Sequence, residues 1–171
     1  MNEKTRRVAL LGVLFALAMA LSFFEGALAP LLGLPPGVKP GLANVVVMYA
    51  LFWLSWRDAL ALTVLKSGFV FLVQGASAAL LSACGGVCAL AAMMLVRRLG
   101  GTVWMQSASG AIAHNFGQLA AVSLWFMQSA YTLAYAPVLL VSGLCMGSLT
   151  AAVLRAAAPA FDRLWKHKKN K

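Results

Sequence analysis

The chain is a succession of long apolar runs with almost no charge inside them. Between Val8 and Ala157 the charged residues are Glu25, Lys39, Arg57, Asp58, Lys66, Arg97, Arg98 and Arg155, and there are no others. Apolar residues make up 62% of the 171 and charged residues 11%, against about 25% charged in a soluble domain. A soluble core of this size cannot hide so much apolar surface. Lipid is therefore the expected solvent. In hydrocarbon every backbone N–H and C=O must be satisfied within the protein, which leaves helices as the spanning element for runs of this kind.

A span needs about 20 mostly apolar residues. The runs read as about six transmembrane helices, 8–28, 42–56, 59–74, 78–96, 103–128 and 133–157, with a basic tail at 159–171. The expected fold is all-α, a polytopic membrane bundle forming one transmembrane domain over 1–171. Arg57-Asp58 reads as a tight polar turn, Gly75 to Ser77 as another, and Pro159 as a stop. Ala27-Leu28-Ala29 looks like a cleavage site, but Pro30 follows directly and hinders cleavage. The first helix is therefore expected to be retained.

The charges orient the bundle. With the N-terminus inside, the cytoplasmic side receives Lys4, Arg6, Arg7, Arg57, Arg97, Arg98, Arg155, Arg163, Lys166, Lys168, Lys169 and Lys171, which is 12 of the 14 Lys and Arg. Only Lys39 falls outside, and Lys66 lies within a helix. This is the positive-inside pattern, and it implies both termini in the cytoplasm. It also accounts for the net charge of +10 without nucleic acid, because the basic residues sit in gaps between apolar runs rather than in a stripe on a polar fold. The tail is expected to lie on the inner leaflet.

Several chemistries find no residues here. No Gly-x-x-x-x-Gly-Lys-[Ser/Thr] loop, His-Glu-x-x-His or nucleophile elbow occurs. The carboxylates Glu3, Glu25, Asp58 and Asp162 are scattered and form no magnesium-diphosphate clusters. Cys84, Cys88 and Cys145, an odd number within apolar runs, read as packing residues. The expectation is a protein that is not an enzyme, with no catalytic residue, no metal and no cofactor.

Polar groups at membrane depth are costly and mark sites by default. Glu25, Lys66, Gln74, His114, Asn115 and Gln118 are such groups, with Lys39 and Asn44 at the rim. Glu25 and Lys39 read either as a structural pair holding the 30–41 loop or as the mouth of an outward pocket. That loop, rich in Pro and Gly, is either a rigid connector or a lid. His114 and Gln118, four apart, share a helix face, and Asn115 points about 100° away. These three either bond to neighbouring helices or line a cavity. Gly12, Ala16 and Ala20 form a smooth stripe for a partner helix, either within the bundle or on another protein.

Three blocks carry a family resemblance: Leu21-Ser22-Phe23-Phe24-Glu25, Pro36-Gly37-Val38-Lys39-Pro40-Gly41-Leu42-Ala43-Asn44, and Gly110-Ala111-Ile112-Ala113-His114-Asn115-Phe116-Gly117-Gln118-Leu119. Over about residues 9–152 the chain resembles the Gx transporter family, whose members carry the name heptaprenyl diphosphate synthase component I. That family is similar to the substrate-binding S components of energy-coupling factor transporters. The resemblance implies a six-helix subunit of the bacterial cytoplasmic membrane. It would bind a small solute near the outer face, under the loop after the first helix. It would work with a transmembrane scaffold and ATPase subunits, and Gly12, Ala16 and Ala20 would dock on the scaffold. Lys66 stands where the resemblance implies an arginine.

The leading expectation is a solute-binding transporter subunit with Glu25, Lys39 and Asn44 at the mouth and His114, Asn115 and Gln118 deeper. Two others stand beside it. One is a non-catalytic membrane component of heptaprenyl diphosphate or quinone synthesis. The other is a stand-alone carrier using His114 or Glu25 as a proton site.

Overall fold

The computed structural model describes residues 2–31, 41–125, 134 and 136–166. Its elements are α1 (Glu3–Leu31), α2 (Asn44–Tyr49), a wide π turn (Ala50–Leu54), α3 (Trp56–Gln74), α4 (Ala76–Arg98), α5 (Val103–Trp125) and α6 (Ala136–Lys166). No strand occurs among the described residues, and the all-helical expectation holds. Among the described residues three stretches are long and apolar enough to cross a membrane: Thr5–Leu28, Ala76–Arg98 and Ala136–Pro159. The Asn44–Leu54 stretch is apolar but short. At about 1.5 Å per residue it covers roughly 16 Å, about half of a 30 Å hydrocarbon core.

α2 sits at the centre of the bundle rather than at its rim. Val46, Met48, Ala50 and Leu51 are all buried. They pack with Leu14 and Ala18 of α1, Leu62 of α3, and Ala89, Leu90 and Met93 of α4. A helix apolar on every side finds no solvent face and is enclosed. The π turn follows directly, and its Leu51 carbonyl accepts a hydrogen bond from Arg97 at the end of α4.

The expected polar turn at Arg57-Asp58 lies instead in the first turn of α3. Ser55 adopts extended geometry and its hydroxyl accepts from the Asp58 N–H at 3.3 Å. Ser-x-x-Asp is an N-cap signature; the polar pair marks a helix start. Asp58 also holds Arg7 of α1 at 2.6 Å, so the pair fastens α1 to α3. Of the expected Gly75–Ser77 turn only Gly75 breaks the helix, at φ 88°, and α4 begins at Ala76. Pro159 lies inside α6 rather than ending it. Proline deprives one carbonyl, four residues back, of its partner. That residue, Arg155, is exposed, so the carbonyl lies where solvent or lipid headgroups can reach it.

α3, α4, α5 and α6 pack in sequence, and glycines set how closely. A Cβ on Gly86 would stand 2.5 Å from Thr63 of α3, and one on Gly117 would stand 2.9 Å from Cys88 of α4. One on Gly147 of α6 would stand 2.5 Å from the Ala108 Cα of α5, and one on Gly143 3.0 Å from Ile112. Small residues four apart allow such backbone approach. Across the α5–α6 seam the Ser107 hydroxyl donates to the Gly147 carbonyl at 2.7 Å. Gly12, Ala16 and Ala20 of α1 are all exposed, and nothing lies within 4 Å of where a Gly12 Cβ would be. Among the described residues no helix covers that stripe.

A polar cavity as candidate functional site

The antiparallel course of the helices separates two ends. Arg7, Ser55, Asp58 and Arg97 gather at one, through the Arg7–Asp58 pair and the Arg97–Leu51 bond. Glu25, the start of α2 and the Gly75 junction lie toward the other.

At that second end a cavity of about 100 Å³ is lined by Glu25, Lys66, Gln74, Ser82, His114 and Gln118, among others. α1 supplies Glu25, α3 supplies Lys66 and Gln74, α4 supplies Ser82, and α5 supplies His114 and Gln118. The i, i+4 spacing of His114 and Gln118 brings both side chains to the same space. Glycine at position 85 permits this. A Cβ there would lie 2.9 Å from the His114 ring and from the Gln118 Cγ.

Glu25 is 1% exposed. Its Oε1 accepts the Ala43 N–H at 3.0 Å, just before α2. A carboxylate is stabilised by backbone donors at the start of a helix, where N–H groups have no partner within the helix. Gly41, at φ 86°, supplies the left-handed bend that delivers the chain into this turn. Asn44 is buried and lies beside the cavity rather than in its lining. Its Oδ1 accepts from the Lys66 ammonium at 3.5 Å. Lys66 is itself 8% exposed, so ammonium and carboxylate share one interior space. Isolated, either ion would cost several kcal/mol to bury; together with amides and hydroxyls they form a polar chamber in an apolar bundle.

Asn115 is turned elsewhere. Its amide donates to the Leu139 carbonyl at 2.9 Å and to the Ser142 hydroxyl at 3.2 Å, tying α5 to α6. Lys39 lies outside the described residues, as does most of the 30–41 loop. The cavity also takes in Ser22 and Ser82, which the sequence reading did not single out. Serine in an apolar helix commonly bonds back to its own backbone, as Ser67 does to the Thr63 carbonyl at 3.0 Å, so serine alone gave no signal.

The arrangement can present a cation, a carboxylate, an imidazole and amides to a small polar molecule. All-helical architecture, helices fit to cross a bilayer and a buried polar chamber define a polytopic membrane protein. The family model of heptaprenyl diphosphate synthase component I matches residues 14–157. The chain belongs to that family. No curated protein and no solved structure matches it.

Proposed function

We propose that the chain is the membrane-embedded, solute-binding subunit of a transporter of the energy-coupling factor type. One observation carries this reading. Polar side chains from α1, α3, α4 and α5, which could each have been satisfied separately, instead surround one cavity. The arginine-rich end faces the cytoplasm by the positive-inside rule, so the cavity opens toward the exterior. Glu25, Lys66, His114 and Gln118 line the binding space, and Asn44 supports it from beside by holding Lys66. Mixed charge selects a zwitterionic or anionic compound. Sites for drug-sized molecules measure about 300 Å³ or more, so a cavity of about 100 Å³ widens when solute enters. The uncovered Gly12, Ala16 and Ala20 stripe is the docking face for a transmembrane scaffold, and separate ATPase subunits drive the cycle.

The test is native mass spectrometry of the protein released from nanodiscs, followed by pull-down from a lysate containing candidate scaffold and ATPase subunits. A retained small molecule that is lost in His114→Ala and Gln118→Ala is expected. Absence of both ligand and partners sinks the reading.

The family name favours a second reading, a non-catalytic membrane component that assists heptaprenyl diphosphate synthesis. Chain elongation by a soluble prenyl synthase, measured with and without this protein in vesicles, separates the two. Faster or longer elongation in its presence selects the second.

A further inference from the structure

A second hollow lies at the opposite end of the bundle. Its volume is about 640 Å³, within the range of small-molecule sites. The π turn forms one wall with Leu51, Phe52 and Leu54, and Met94 of α4 faces it. Trp56, half exposed, stands at the edge. Arg97 and Arg98 close the other side, and no lining residue is acidic. The Arg97 guanidinium is fixed in place. It donates to the Leu51 carbonyl and lies 5.3 Å from the centre of the Phe52 ring. Arg57 adds a third cation 5.5 Å from the Trp56 ring. The Asp58 carboxylate, one residue beyond Arg57, is engaged by Arg7 and Ser55.

The location fixes what such a hollow meets. Arg97 and Arg98 end a helix that is apolar enough to cross the bilayer, so they stand where hydrocarbon gives way to headgroups. Tryptophan favours that same boundary. Apolar walls leading to paired guanidinium groups complement a molecule with a hydrocarbon body and a phosphate head. Arginine suits that head through its planar fork of donors, and basic pockets between helices on the cytoplasmic side bind anionic headgroups. A guanidinium has five N–H donors, so Arg97 can hold Leu51 and still reach a phosphate oxygen.

We propose that this hollow is a specific site for an anionic glycerophospholipid, with the phosphate on Arg97 and Arg98 and an acyl chain along Phe52, Leu54 and Met94. It is separate from the solute cavity and does not depend on the transport reading.

The test embeds the full-length protein in nanodiscs of phosphatidylglycerol and phosphatidylcholine. Retained lipid is counted by native mass spectrometry. One or two phosphatidylglycerol molecules should be retained in preference to phosphatidylcholine. Arg98→Gln should weaken retention about fivefold, the effect of one basic residue at a charged surface, and Arg98→Lys should recover most of it. Arg155→Gln removes the same charge from α6, outside the hollow, and should change nothing. Arg98 makes no hydrogen bond among those described, so the variant should melt like the parent, and matching melting curves exclude misfolding. Equal losses in Arg98→Gln and Arg155→Gln would reduce the effect to diffuse attraction and overturn the site. An added prenyl diphosphate that binds through Arg98 while phosphatidylglycerol does not would overturn the choice of lipid. So would a protein partner that binds through Arg98 and leaves lipid retention unchanged.

Discussion

Replacing Gly85 with alanine should act on the solute cavity through a single added methyl group. The new Cβ would meet the His114 ring and the Gln118 Cγ at 2.9 Å, whereas ordinary contact begins near 3.4 Å. Both side chains must therefore recoil by at least half an ångström. His114 is 4% exposed, and the space it can recoil into is the cavity of about 100 Å³ that it lines, so the added methyl narrows that cavity. Overpacking of this kind costs about 1–3 kcal/mol. Alanine in a helix returns up to about 1 kcal/mol relative to glycine. The net expectation is a loss of roughly 0–2 kcal/mol against the parent, and of roughly 1–3 kcal/mol against a glycine-to-alanine change that meets no neighbour. Gly68→Ala is the matched control, because nothing lies within 4 Å of its added Cβ, and it should be neutral or slightly stabilising. Thermal unfolding in one detergent compares the two variants, and native mass spectrometry compares retained solute. Gly85→Ala should melt earlier and hold less solute. If it matches Gly68→Ala in both measurements, His114 and Gln118 are not wedged against α4, and the cavity described above is wrong.

Asn115→Ala should lower stability by about 1–2 kcal/mol, through loss of its bonds to Leu139 and Ser142, while solute retention per folded molecule stays unchanged. Arg7→Ala removes the ionic partner of the buried Asp58 carboxylate. Because Arg7 is half exposed, the cost is discounted to about 1 kcal/mol, read as a lower melting temperature that high salt in the parent partly reproduces. Glu25→Gln keeps an acceptor for the Ala43 N–H and should fold, whereas Glu25→Ala orphans that donor and should cost about 1–3 kcal/mol by chemical denaturation.

The all-helical character and the order of the helices were legible because long apolar runs leave few alternatives to a helix, whereas three described stretches, not six, are long and apolar enough to cross a membrane. The ends were less legible, since they depend on single bonds. Ser55 and Asp58 form a cap that is visible in the sequence as Ser-x-x-Asp, yet a charged pair between apolar runs resembles a turn equally well. In the site, helical spacing correctly put His114 with Gln118 and set Asn115 apart, but spacing alone could not say which neighbour Asn115 would meet. Lys66 stood out as a charge at membrane depth. Gly85 did not, because its role exists only against residues of another helix. The Gly143 and Gly147 pair carries a recognisable spacing and marks the α5–α6 seam, whereas the small residues that drew notice, Gly12, Ala16 and Ala20, are uncovered among the described residues.

The wide turn after α2 holds one more residue than an α-helix would use for the same winding. It is thus a point of slack in angular phase. Asn44, upstream, must meet Lys66, and Ser55, downstream, must cap α3. Wound as a plain α-helix, the same residues Ala50–Leu54 would turn Ser55 about 100° further round relative to Asn44. The inserted residue therefore acts as a phase adjuster that lets a single short helix serve a polar chamber at one end and a basic hollow at the other.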